Sequence, residues 1–234
     1  MTGDLQTDVT PGGRGTRVSR PKRRRSPVSW TVGVLALVPL LLLVLDAGIG
    51  RLGVEPVEAV IRRTGWWALA LLLATLAITP ARRLTGLNVL IQARRPLGLS
   101  AFGYAALHFL LYTGLDQWFG FGYILEDILE RPFITAGFLA FILLIPLAAT
   151  STSGAIRRLG GRRWRRLHMI VYPATVLAVL HYFWLVKADT RGPLLFAGVL
   201  AILFALRTPL AGYRARHRTA TSVGRGGAAD DASE

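Results

Sequence analysis

Cysteine is absent from the whole chain of 234 residues. Disulfides, thiolate-held iron–sulfur clusters and cysteine nucleophiles are therefore excluded. No glycine-rich nucleotide fingerprint stands between a strand pattern and a helix pattern, so nothing marks a nicotinamide site. Acid is scarce, with 13 Asp and Glu against 28 Lys and Arg. Carboxylates are missing altogether from the middle of the long apolar blocks, which removes the usual general acids and bases from those regions.

What is present is hydrophobic residue in bulk, 52% of the chain, with a mean hydropathy of +0.44. Six segments are apolar on every side rather than along one stripe: Val28–Leu45, Trp66–Thr79, Leu97–Leu115, Pro132–Thr150, His168–Val186 and Pro193–Leu210. Such blocks need lipid or buried surroundings. They predict an all-α polytopic membrane protein, a six-helix transmembrane bundle over residues 28–210. The second segment is short for a span of about 20 residues, so flanking loop residues or local bilayer thinning must complete it. Residues 1–27 and 211–234 carry too little apolar surface to fold alone and read as disordered basic tails. The first apolar segment follows SRPKRRRSP, yet it is long and has no clear cleavage site, so an uncleaved first helix is expected.

The net charge of +15 is a topology signal rather than a nucleic-acid footprint, because the basic residues gather between the spans. Alternate connecting regions, starting with the N-terminal tail, hold 22 Lys and Arg against 6 in the others. The positive-inside rule then places both termini in the cytoplasm. It sends outward the loop that carries Asp116, Glu126, Asp127 and Glu130, four acids that read either as a solvated loop or as a docking surface for a partner.

Four histidines occur. His217 lies among arginines in the C-terminal tail and reads as solvated. His108, His168 and His181 lie in or at the edge of apolar spans, where ionisable groups are costly and mark function. His108 is twelve residues beyond Pro96, about 18 Å along a helix, and His181 is thirteen beyond His168, about 20 Å. The two thus reach a similar depth in the outward half. Two imidazoles alone cannot complete a zinc or facial-triad iron site. A haem needs only axial ligands, and without CxxCH it must be non-covalent and b-type. Phe102, Tyr104, Phe109, Tyr112, Tyr182, Phe183 and Trp184 are candidates for its slot. At about 100° per residue, His168 and His181 differ by about 220° in helical phase, which Pro173 can alter. Opposite His168 the third segment offers Arg94 and Arg95. These are candidates for a haem ligand, a propionate or quinone contact, or a cytoplasmic anchor.

The stretches EPVEAVIRRTGWWALALLLATLAITPARRL, ARRPLGLSAFGYAALHFLLY and RPFITAGFLAFILLIPLAATSTSGAIRRLGGRRWRRLHMIVYPATVLAVLHYFWLVK resemble, in order and spacing over about residues 53–207, the MsrQ (YedZ) family. That family is the haem-binding membrane subunit of a periplasmic methionine sulfoxide reductase system. It belongs with the ferric-reductase-like and NADPH-oxidase-like membrane cytochromes. The resemblance implies haem ligation by His108, His168 and His181, one haem b or two. It also implies a flavin mononucleotide (FMN), for which no residue pattern here gives a place. The oxidase relatives carry two histidines on each of two helices. Here the third segment has only His108, which leaves the sixth ligand of an inner haem open, with Arg94 a candidate.

The function expected from this is electron transfer in the bacterial inner (cytoplasmic) membrane rather than catalysis by the chain itself. Electrons arrive from membrane quinol or a flavin reductase and leave to a molybdopterin-containing methionine sulfoxide reductase subunit outside the cytoplasm. A stand-alone ferric-reductase-like cytochrome and a haem-free transporter with intramembrane histidines are the alternatives.

Overall fold

The computed structural model describes residues 27–186 and 188–207. Pro27 apart, the expected tails at 1–27 and 211–234, and with them His217, lie outside the described residues. Among the described residues every element is helical. In chain order these are α1 (Pro27–Leu35), α2 (Val38–Gly48), α3 (Pro56–Thr85), α4 (Arg94–Leu111), α5 (Phe121–Glu130), α6 (Pro132–Ala149), α7 (Ser153–His168), α8 (Val171–Leu185) and α9 (Arg191–Ala205). A 3₁₀ turn at Asn88–Gln92 precedes α4, and a π turn at Tyr112–Asp116 follows it.

Four continuous or nearly continuous stretches are long and apolar enough to cross a membrane: Pro27–Gly48, Pro56–Thr85, Pro132–Ala149 and Ser153–Leu185. The chain is a multi-pass membrane protein. The other two apolar segments form α4, which opens on two arginines, and α9, which has 15 residues. The second segment, short in sequence, sits inside the 30-residue α3. Pro56 at its first turn presets the helical φ. Its other end is closed by Gly86, whose φ of +73° admits glycine readily and whose N–H bonds to Arg82 O. The polar flanks IRRTG and PARRLT are thus drawn into the helix and supply the missing length.

Two antiparallel pairs make the centre. On the first, Gly65 of α3 faces His108 of α4, and Thr75 of α3 faces Gly98 of α4. A ten-residue step along one helix is matched by the opposite ten-residue step along the other. On the second pair, Phe133 O at the start of α6 meets His181 of α8, while Thr150 O at its end accepts from Trp164 Nε1 of α7. Leu72, Leu76, Ala101, Ala174 and Phe196 pack between the pairs and α9. Ala101 and Ala174 are almost wholly buried, and small side chains at such points let membrane helices approach closely. Tyr104 donates to Ala36 O at 2.9 Å and ties the break between α1 and α2 to α4.

Pro80 lies inside α3. It has no N–H for the carbonyl four residues back, that of Leu76. Arg207, just beyond α9, donates from Nη2 to Leu76 O and from Nη1 to Tyr172 Oη at 2.5 Å. Its guanidinium lies 5.3 Å from the Tyr172 ring centre. The arginine fills a backbone acceptor that the proline leaves open, and so fastens α9 to α3 and α8. Replacing Arg207 by Met should therefore cost about 1–3 kcal/mol. Pro80→Ala, which restores the intrahelical donor, should reduce that cost. A double-mutant cycle on unfolding in detergent measures the coupling; simple additivity of the two changes would contradict this account.

Candidate functional site

His108 and His181 meet where the two antiparallel pairs face each other. Their ring centres are 6.2 Å apart and their planes are inclined at 71°. His108 Nδ1 lies 2.9 Å from Ile61 O of α3. His181 Nδ1 lies 2.6 Å from Phe133 O of α6. A carbonyl only accepts, so each Nδ1 carries the hydrogen and donates it. In a neutral ring this leaves the Nε2 lone pair free, which is the tautomer a metal requires. Thr64, fully buried, places its hydroxyl 2.9 Å from the same Ile61 carbonyl.

Among the described residues no group of three or more His, Cys, Asp or Glu gathers anywhere. A metal at this pair must therefore bring its remaining ligands with it, as an iron porphyrin does. The separation suits that case. Two imidazoles that share one iron at metal–nitrogen distances of about 2 Å place their ring centres roughly 6 Å apart.

The aromatic surroundings differ from those expected. Tyr104 turns to α1 and Tyr112 donates to Asp127 Oδ2 at 2.8 Å. Phe183 and Trp184 are exposed on the outer surface of the bundle. Tyr104 and Tyr112, four residues either side of His108, share its helix face, but their hydroxyls are engaged by Ala36 O and Asp127. Phe102 and Phe109 do point inward, and they stack on Phe141 of α6 with ring centres 5.9 and 5.1 Å away. Phe109 also meets Phe138 at 5.9 Å, and Tyr182 meets Phe196 edge-on at 5.8 Å.

His168 stands apart from this pair. Its ring stacks on Trp164 at 3.9 Å, and its Nδ1 lies 3.2 Å from Trp164 O. Arg94 is the charged neighbour of His168, and is itself within Coulombic range of Arg207 and Tyr172. Arg95 is exposed. The basic helix α7 is broken at Gly160, where φ is +72°. The phase argument made for one regular helix does not carry over. Met169 and Ile170, with φ/ψ near −71°/−18° and −60°/−19°, separate α7 from α8. Pro173 has no N–H for Met169 O, and Tyr172 N takes that acceptor at 3.1 Å. The segment tightens to 3₁₀ geometry at about 120° per residue. Three or four such steps add roughly 60–80° of rotation and bring the two histidines closer to one face.

Comparison with known proteins gives the family of the chain. A family profile described as "Ferric reductase like transmembrane component" matches residues 64–179. A protein of Rhodospirillum rubrum named "Protein-methionine-sulfoxide reductase heme-binding subunit MsrQ" is 53% identical over 173 residues, 74% of this chain and 83% of the relative. The protein of that name from Ralstonia nicotianae is 51% identical over 189 residues, covering 80% and 87%. One from Xanthomonas campestris pv. campestris is 56% identical over 160 residues, covering 68% and 73%. The chain belongs to the MsrQ family.

In this MsrQ-family chain several residues of the site escaped the reading of the sequence. Ile61 and Phe133 act through backbone carbonyls, which no side-chain pattern announces. Gly65 and Gly137, each in contact with an imidazole, had a faint signal: each follows its carbonyl partner by four residues. Phe141, on a helix that holds no histidine, forms the centre of the phenylalanine stack. Phe141→Ala should cost about 3–5 kcal/mol of stability, read from unfolding in detergent. The exposed Phe183→Ala should stay within about 0.5 kcal/mol. Equal losses would contradict the assignment of inner and outer aromatics.

Proposed function

We propose that the chain is the haem b membrane electron-transfer subunit of a methionine sulfoxide reductase system. The observation that carries this reading is the pair His108 and His181, 6.2 Å apart with both Nδ1 atoms committed to helix carbonyls. These two imidazoles would hold the iron of an outer haem. The names of the relatives support haem binding and a methionine sulfoxide reductase partner. Haem, when bound, supplies a one-electron iron couple. The protein supplies the rest. Ile61 and Phe133 hold the ring orientation and tautomer. The phenylalanines of α4 and α6 keep water from the pair, and the apolar spans raise the cost of any charge there.

The excess of Lys and Arg in alternate connections supports six spans with both termini cytoplasmic, in the bacterial inner membrane. In that orientation His168, Arg94 and Arg207 form an inner, cationic station. We assign His168 and Arg94 to an inner group, a second haem or its propionates, or a quinone headgroup. For the flavin mononucleotide implied by resemblance, no residue is assigned and no step is given to it. Electrons enter on the inner side from quinol or a flavin reductase and leave on the outer side to a molybdopterin-containing subunit. Of the four outer acids, Asp127 is engaged by Arg131, Tyr112 and Gln117 and Asp116 by Gln117, which leaves Glu126 and Glu130 exposed to meet that partner.

The purified membrane protein should show a reduced b-type band pattern. His108→Ala or His181→Ala should each abolish the outer haem. Quinol or a flavin reductase should reduce the parent protein, and the partner subunit should reoxidise it. A colourless full-length protein, or full haem content in both variants, would overturn the reading.

A further inference from the structure

We propose that Gly65 and Gly137 are positioning residues, each of which clears the approach of one histidine to the backbone carbonyl that orients it. The inference rests on the reading of His108 and His181 as haem ligands and adds what holds them in place.

The same device occurs twice. His108 Nδ1 donates to Ile61 O, and Gly65 is four residues after Ile61 on α3. His181 Nδ1 donates to Phe133 O, and Gly137 is four residues after Phe133 on α6. The spacing has a physical cause. A helical side chain leans toward the N-terminus and covers the turn before its own Cα. The side chain at i+4 therefore lies over the carbonyl of residue i. That carbonyl already faces the N–H of residue i+4, and its second lone pair is reached from the side of the helix. Any substituent at i+4 occupies the path.

The distances show how little room there is. A Cβ at position 65 would lie 2.9 Å from His108 Cε1 and 3.0 Å from its Nδ1. A Cβ at position 137 would lie 2.7 Å from His181 Nδ1 and 2.9 Å from its Cε1 and Cγ. Neither ring can yield at its far end, because the atoms struck include the one that makes the hydrogen bond. Moving the ring stretches that bond and turns Nε2 away from the shared space. Close packing of glycine is not general in this fold: Gly103 on α4 and Gly198 on α9 have nothing within 4 Å of a built Cβ. Gly98 meets Thr75 Cγ2 at 3.6 Å, an ordinary contact. Gly114, Gly120 and Gly192 are also tight, against Phe119 Cζ at 3.0 Å, Tyr123 Cδ2 at 2.8 Å and Tyr182 Oη at 2.6 Å, but only Gly65 and Gly137 press on imidazoles, and each does so four residues after the carbonyl that its imidazole meets.

The test uses Gly65→Ala and Gly137→Ala in the full chain, with Gly103→Ala as control. Alanine is the better helix former, so the backbone has no local reason to break. Haem affinity, the low-spin absorption and electron paramagnetic resonance signature, and the midpoint potential are measured, with folded yield followed by size exclusion. Both variants should bind the outer haem about 10-fold or more weakly, or hold it with a shifted spectrum and potential, while Gly103→Ala matches the parent. Unchanged affinity, spectrum and potential in both variants would overturn the proposal. So would loss of folded protein in both, since the glycines would then be helix-packing residues. His108→Ala and His181→Ala in the same series separate the two levels. If these keep haem, the ligand assignment itself falls. If they lose it while the glycine variants behave as the parent, only the positioning role falls.

Discussion

The hydrogen bond from each imidazole Nδ1 to a helix carbonyl is the interaction on which the centre of this protein depends. It chooses the tautomer, sets the ring plane and leaves one nitrogen free on each of two facing rings. It also dictates how close the helices come. For His108 to reach Ile61 O at 2.9 Å, and His181 to reach Phe133 O at 2.6 Å, α4 must lie against α3 and α8 against α6. The register of each antiparallel pair follows from those contacts, and the pairs in turn bring the rings to 6.2 Å.

A second constraint is the accounting of backbone acceptors where lipid offers no water. Prolines inside the helices each remove a donor. Leu76 O, opened by Pro80, is taken by Arg207, and Met169 O, opened by Pro173, is taken by Tyr172 N. Each repair has a wider consequence. The first anchors α9 and places a guanidinium inside the bundle near Arg94. The second tightens the join of α7 and α8 and resets the phase between His168 and His181. Elements that look like defects in a helical pattern thus fix how the two ends of the molecule relate.

Much of the architecture was legible beforehand. All-round apolar blocks announced membrane helices, and the depth of His108 and His181 followed from counting residues from the basic flanks. Other features were not. Trp66–Thr79 read as a short span because polar flanks were counted as loop, whereas α3 takes them into its helix. Tyr104, Tyr112, Phe183 and Trp184 were grouped with the slot by proximity in sequence, yet the two tyrosine hydroxyls are engaged by Ala36 O and Asp127, and Phe183 and Trp184 are exposed. Phe138 and Phe141 went unnoticed because their helix holds no histidine.

By itself the sequence determined the helical class, the membrane setting and the identity of the costly groups, because apolar length and the penalty for burying an ionisable side chain act residue by residue. Only the tertiary structure decided which carbonyl each imidazole meets, which glycine stands beside it and which aromatic lies within reach. Those are contacts between segments distant along the chain, from Ile61 to His108 and from Phe133 to His181. They exist only when helix registers are set against one another, since a backbone acceptor becomes a partner through position and not through residue type.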